Sequence, residues 1–146
     1  MGNIKKHKLS EIGEIKDASS LKSVEKGSIL IPTGAAIKRL PKYFKEKTNI
    51  KNERALLLRV NKEFNSFYIY LAIMSCWEQF VYRVIQNINI PKAEIENMTI
   101  YINTDRTKQD ELVGKYKIIE RLIDLEEDTI NNLKEFKKTC LNDMLM

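Results

Sequence analysis

Apolar residues recur every three or four positions through the C-terminal part of the chain, from Thr104 to Met146. This segment contains no proline and a single glycine, Gly114, and Thr104 or Asp105 can cap its start. The pattern predicts one long helix with a heptad seam, which requires a partner helix. Packing of this helix on its own domain is the alternative. The seam positions are Ile119, Ile123, Glu126, Ile130, Leu133, Lys137, Cys140 and Met144.

The preceding residues alternate between strand-sized apolar runs and one region of helical periodicity. Residues 27–34 predict a turn, a buried strand and a second turn, and residues 54–60 predict another strand. Residues 61–86 carry a wide apolar face with Asn65 or Ser66 as N-cap, and we expect two helices that meet near Ser75. Loop, helical turn and strand follow in residues 88–102. The segments 16–26 and 35–53 predict irregular structure, the second of them exposed and basic.

Composition limits the function through the distribution of charge. Residues 1–48 hold 11 Lys or Arg against 5 Asp or Glu, a net charge of +6, whereas residues 49–105 hold 6 against 6 and residues 106–146 hold 8 against 9. A local basic excess predicts a polyanionic partner, with a solvated lysine-rich surface as the alternative. No run reaches the length of a membrane span, and no signal peptide opens the chain. Cys76 and Cys140 lie in apolar stripes, which indicates thiols in a reducing cytoplasm.

The residues required for catalysis are missing from the sequence. His7 is the only histidine, and we expect it in a frayed N-terminus where it cannot serve as a general base. Gly27 and Gly34 bracket a strand and precede no helix, so they do not form a phosphate-binding loop. The cysteines and the histidine lack metal-ligand spacing. The sequence therefore predicts a binding protein without catalytic residues, metal or cofactor.

Several segments resemble, in order, one half of the specificity (S) subunit of type I restriction–modification systems. The segment K-L-S-E-I-G-E-I resembles the opening of a target-recognition domain, and G-S-I-L-I-P-T-G is similar to its central G-D-I-L-I strand. The segment V-N-K-E-F-N-S-F-Y-I-Y-L resembles the lead into the domain's helix, and I-P-K-A-E-I-E-N-M-T-I its final loop, helix and strand. The C-terminal segment resembles the spacer helix. The resemblance implies an α+β fold, with a small, shortened target-recognition-like domain at 1–103 followed by a long coiled-coil-type spacer and dimerisation helix at 104–146.

The resemblance also implies a function and partners. An S subunit recognises double-stranded DNA and directs a separate methyltransferase subunit and a restriction subunit to it. A complete S subunit has two recognition domains, so a half-length form is expected to dimerise. The alternative is a truncated scaffold that binds the methyltransferase or a full S subunit and modulates it without reading DNA.

The basic excess and the loop after the first buried strand predict where DNA binds. We expect phosphate contacts from basic side chains and base contacts from loop residues, the set being Thr33, Lys38, Arg39, Lys42, Lys45, Arg54 and Asn89. For the helix, an antiparallel pair of copies places Glu126 opposite Lys137, whereas a parallel pair places like charges opposite each other. The sequence therefore predicts an antiparallel homodimer.

Overall fold

The computed structural model describes residues 4–34, 39–51, 54–84 and 89–145. The chain divides into two compact units, Met1–Asp110 and Glu111–Met146. Among the described residues, the first unit holds every strand, three helices and the first turn of the long C-terminal helix. In chain order the elements are β1 (Ile4–Lys8), α1 (Leu9–Ile12), β2 (Gly13–Asp17), β3 (Ser23–Val24), β4 (Ile29–Pro32), β5 (Lys42–Tyr43), β6 (Thr48–Asn49), β7 (Ala55–Val60), α2 (Ser66–Val84), α3 (Lys92–Glu96), β8 (Thr99–Asn103) and α4 (Arg106–Leu145).

The two predicted buried strands form the centre of an antiparallel sheet whose strand order is β2-β7-β4-β5. Successive side chains of a strand point to opposite faces, so Leu57 lies in one hydrophobic cluster and Leu58 in another. Both faces of β4 and β7 are buried. This double burial explains why their apolar runs are continuous rather than alternating.

The main core lies between one face of this sheet, helix α2 and the pair formed by β1 and β8. Helix α2 contributes Ile69, Ile73, Trp77 and Phe80, all nearly inaccessible to solvent. The predicted break near Ser75 is wrong, because α2 is a single helix of 19 residues. The Ser75 hydroxyl donates to the Ala72 carbonyl oxygen at 2.7 Å, so this polar side chain is satisfied without interrupting the helix.

Residues 4–8 form the paired strand β1, which corrects the expectation that His7 lies in a frayed end. His7 lies in β1 opposite Ile100 of β8, and its Nδ1 is 3.3 Å from a carboxylate oxygen of Glu11. Long-range strand pairing holds this segment in place. Gly13 then ends α1 and pairs with Val60, and a Cβ at this position would collide with the Arg59 carbonyl oxygen. Close backbone approach therefore requires a glycine here.

Short strands also form within both segments that were expected to be irregular. Strand β3 pairs with β6, and β5 forms the edge of the larger sheet. Tyr43 stacks on Tyr70 at 5.7 Å between ring centroids and lies within hydrogen-bond distance of Ser66. Phe44 packs against the second cluster, around Leu57. The expectation of a wholly exposed basic segment at 35–53 is therefore corrected, since its aromatic residues anchor it to the domain.

Helix α4 is 40 residues long, equivalent to about 60 Å. Of the two predicted capping residues, Asp105 forms the cap, because its carboxylate accepts the Thr107 N–H at 2.9 Å. From Tyr116 to Met144 the large apolar side chains of this helix are between 40% and 80% exposed. The apolar stripe is thus present as the periodicity predicts, and in the single chain it is accessible to a partner.

Candidate nucleic-acid interface

Several residues predicted to contact DNA meet where the loop after β4 lies against two distant segments. The Thr33 N–H donates to the Arg54 carbonyl oxygen at 3.1 Å, and the Ile90 N–H donates to the Thr33 carbonyl oxygen at 2.8 Å. Gly34 and Asn89 form an isolated antiparallel bridge. Three segments far apart in sequence therefore share one hydrogen-bonded cluster, which we call the β4 loop cluster (Thr33, Arg39, Arg54 and Asn89).

Arg39 holds this cluster together. One terminal guanidinium nitrogen donates to the carbonyl oxygens of Gly34 and Arg54, each at 3.3 Å. The Arg39 carbonyl oxygen in turn accepts the indole N–H of Trp77 at 3.0 Å. The shared cation adds a charge-assisted hydrogen bond to each carbonyl oxygen, and the Arg54 oxygen also accepts the Thr33 N–H. Arg39, predicted only as a phosphate contact, therefore also connects the loop to the core helix.

Arg54 lies along the backbone of Gly34. A Cβ added to Gly34 would be 3.3 Å from the Arg54 Cβ and 3.5 Å from its Cδ. Gly34 itself is buried, whereas Arg54 is exposed. The glycine therefore allows a charged side chain to cross the loop closely while remaining accessible to solvent.

The remaining predicted residues differ in their surroundings. Lys42 and Lys45 are exposed, on the edge strand β5 and just after it, whereas Thr33 is half-buried and Asn89 exposed. Lys38 lies outside the described residues. Within the β4 loop cluster the structure thus brings together two basic residues and two polar residues. The edge strand β5 of the same sheet carries Lys42, and Lys45 follows that strand.

A second polar site, which sequence analysis missed, fixes the first turn of α4. Gln109 is fully buried, and its Nε2 donates to the Asn103 carbonyl oxygen at 2.6 Å. Its Oε1 accepts the Asn65 N–H at 2.8 Å. The Asn65 amide and the Arg106 guanidinium both donate to one carboxylate oxygen of Asp110 at 2.8 Å. These hydrogen bonds lower the pKa of Asp110, the one from Arg106 having the largest effect.

The seam residues of α4 are accessible, with the exception of Cys140, which is half-buried. Ile119 and Ile123 are 56% and 50% exposed. Glu126 and Lys137 are exposed as well. A second apolar row, absent from the predicted seam, lies about a quarter turn around the helix and consists of Ile118, Leu122, Leu125 and Phe136.

No group of three or more metal-ligating side chains occurs within residues 4–34, 39–51, 54–84 and 89–145. Over the same ranges, no helix combines the length and apolar character needed to cross a membrane.

Comparison with known proteins supports the fold class. No family model matches the sequence, and no curated protein matches it. The structure is similar to the crystal structure of the type I restriction–modification system S subunit from M. genitalium, with a TM-score of 0.68 over 93% of this chain. The two sequences are 14% identical, and this chain spans 44% of that protein's length. The predicted fold class, a mixed helix and strand domain followed by a long C-terminal helix, is confirmed.

Proposed function

We propose that this chain is the DNA-recognition and assembly subunit of a type I restriction–modification system, acting in the cytoplasm. It would direct a separate methyltransferase subunit, and a restriction subunit, to double-stranded DNA without catalysis or a cofactor of its own. The observation that carries this proposal is the β4 loop cluster, which gathers basic and polar side chains on a fold similar to that of an S subunit. Fold similarity alone would not assign a function.

The cluster, together with Lys42 and Lys45 at the neighbouring edge of the sheet, would provide two kinds of DNA contact. Arg54, Lys42 and Lys45 are exposed cations suited to phosphate groups, which position a protein on the duplex. Thr33 and Asn89 carry hydroxyl and amide groups suited to base edges. Their backbones hydrogen-bond to neighbouring segments, so the loop presents these side chains from a fixed frame. Preorganisation of this kind reduces the entropy lost on binding.

We further propose that two copies pair through the seam of α4. In an antiparallel pair, Ile130 of one copy meets Leu133 of the other. The same symmetry sets Ile123 against Cys140, and Ile119 against Met144. Each Glu126 then meets a Lys137. Burial of the seam supplies most of the affinity, since its apolar residues are at present exposed. The pair carries two β4 loop clusters, which matches a two-part DNA site.

The second apolar row of α4 gives the methyltransferase subunit a place to bind. It lies beside the seam rather than within it. In the proposed pair Ile118 and Leu125 lie outside the heptad positions that contact the second copy, whereas Leu122 flanks the seam. A helix that is apolar over so wide an arc packs against more than one neighbour. We therefore assign the seam to the second copy and the second row to the methyltransferase.

The salt dependence of duplex binding tests the DNA-binding proposal. Each phosphate contact contributes roughly one unit to the slope of log affinity against log salt. The double variant Lys42→Ala and Lys45→Ala should therefore lower the slope by about two units on a mixed-sequence duplex. The control is Arg59→Ala with Lys62→Ala, which removes the same charge from the opposite end of β7. Equal slopes for both double variants would exclude the assigned surface.

A further inference from the structure

A cavity separate from the β4 loop cluster lies between α2 and the β1–β8 strand pair. Its volume is about 310 Å³, at the lower end of the range for small-molecule sites. Two cations, Lys6 and Arg83, line it, and its lining includes neither aspartate nor glutamate. Within the described residues neither cation forms an ion pair. The cavity is therefore a locally positive recess whose charge is not neutralised by those residues.

The two cations reach the cavity from different elements. Lys6 lies in β1 opposite Tyr101 of β8, whereas Arg83 lies near the end of α2. The Arg83 charge acts on the Cys76 thiol, which also lines the cavity. Burial raises the pKa of this thiol, and Arg83 opposes that effect. Lys6 and Arg83 line the same volume from two different elements.

The rest of the lining suits a planar ring. Phe80 and Ile100 form an apolar floor, each less than 5% exposed, while Tyr101 is 69% exposed and carries an aromatic face accessible to solvent. Gln79 and Thr99 add amide and hydroxyl groups that can hydrogen-bond to ring edges. An apolar floor, an exposed aromatic residue and a few polar groups are the features that hold heterocycles.

We propose that this cavity binds a nucleotide, its phosphate between Lys6 and Arg83 and its base beside Tyr101. The site does not depend on the proposed DNA interface, since it shares no residue with the β4 loop cluster. The nucleotide chemistry has two sources, a free nucleotide or one nucleotide unit of a single strand. The experiment below separates them.

Binding of adenosine monophosphate, of inorganic phosphate and of a short single-stranded oligonucleotide is measured on the full chain by calorimetry. Loss of two charge-assisted contacts in Lys6→Ala with Arg83→Ala should weaken nucleotide binding by about a hundredfold. The matched control, Lys5→Ala with Arg59→Ala, removes the same charge from exposed positions outside the cavity and should bind as the parent chain does. Binding of the mononucleotide identifies a free ligand, and binding of the oligonucleotide alone identifies a strand; both support the site.

A second variant tests the cavity without changing charge. Ser75 lines it and is exposed on α2, so Ser75→Leu fills the volume with a residue that favours helix. This variant should keep its melting temperature and lose nucleotide binding. In a Cys140→Ser background, bound nucleotide should also slow alkylation of Cys76, which lines the cavity. Equal losses in the two charge variants, phosphate binding as tight as nucleotide, or no binding of either nucleotide ligand would overturn the proposal.

Discussion

Leu58 in β7 and Leu133 in α4 are both leucines, but their side chains have opposite exposure to solvent. The first is 0% exposed and the second 62% exposed. In the strand domain, apolar residues from the sheet, α2 and β8 cover one another, and the hydrophobic effect is used within the chain. In α4, apolar residues of similar size face solvent. A regular apolar pattern therefore stabilises the fold in one region and forms an accessible surface in the other, which we propose is covered by a partner.

The exposed apolar residues of α4 are too many and too regularly spaced to be ordinary isolated surface residues. Isolated apolar side chains on a surface are ordinary, but a continuous row over several turns marks an interaction site. The seam is apolar except at Glu126 and Lys137, and in the proposed dimer these charges would set orientation rather than affinity. Among the described residues of the first unit, three polar residues are buried, namely Ser28, Asn103 and Gln109. Gln109 is the one that lies in α4.

The largest expected effect is a difference in stability between alanine variants of these two leucines. Leu58→Ala should lower the free energy of unfolding by about 2–5 kcal/mol, because it creates a cavity in a close-packed core. The matched substitution Leu133→Ala should change the stability of the monomer by less than about 0.5 kcal/mol and weaken self-association instead. Denaturant unfolding at low concentration and sedimentation at high concentration provide the two measurements. A large loss of monomer stability in Leu133→Ala would contradict the contrast.

Sequence patterns anticipated the elements in which local residues decide the structure. The unbroken runs around Leu30 and Leu57 predicted buried strands, and the helical stripe of α4 predicted its length. One error arose where a distant strand decides the structure, and another where a local hydrogen bond does. His7 is held by pairing with β8, which no local pattern near the N-terminus reveals. Ser75 suggested a break, but its hydroxyl bonds to the preceding turn.

The sequence selected which residues are candidates for the site, but it did not predict the contacts between them. The charge excess and the loop signal selected Arg39 and Arg54, which the fold does bring together. That Arg39 donates to the Arg54 carbonyl oxygen depends on a contact 15 residues away in sequence. The contact between Gln109 and Asn65 spans 44 residues. Such contacts depend on tertiary packing, which a single sequence does not reveal. The only signal in the sequence is the group of polar residues at the start of α4.

Gln109 provides the next test, because it is a buried polar residue at the point where α4 begins. Gln109→Ala leaves the Asn65 N–H and the Asn103 carbonyl oxygen without their partner. An unsatisfied buried group costs about 1–3 kcal/mol. The free energy of unfolding should therefore fall by about 1–3 kcal/mol or more, since two groups lose their partner. Gln79→Ala, in an exposed position of α2, is the control and should have little effect. A loss no greater than that of the control would mean that water replaces both contacts.

Charge reversal in α4 tests the orientation of the proposed dimer. Glu126→Lys should weaken self-association, and adding Lys137→Glu should restore it, because the pairs face each other only in the antiparallel arrangement. Each exposed pair contributes about 0.2–1 kcal/mol, and the dimer contains two. Glu127→Lys, which places the same charge outside the seam, is the control. A double variant that fails to recover in sedimentation equilibrium would argue for another partner or a parallel pair.

The smallest effect concerns the pH dependence of the first turn of α4. Arg106, and to a lesser degree Asn65, lower the pKa of the Asp110 carboxyl below its usual 3.8. A lowered folded-state pKa means that the ionised carboxylate stabilises the fold above the unfolded value, and that this contribution disappears as pH falls through the folded value. The difference in unfolding free energy between the parent chain and Asp110→Asn should therefore be constant near neutral pH and shrink in acid. The carboxyl group is exposed, so solvent screens the interaction and the difference is small. Asp124→Asn makes the same change at an exposed carboxylate without a hydrogen bond among the described residues, and subtracting its pH profile isolates the Asp110 contribution. A difference that instead grew toward acid would show that protonated Asp110 is the stabilising form and would leave Gln109 as the residue that fixes the first turn of α4.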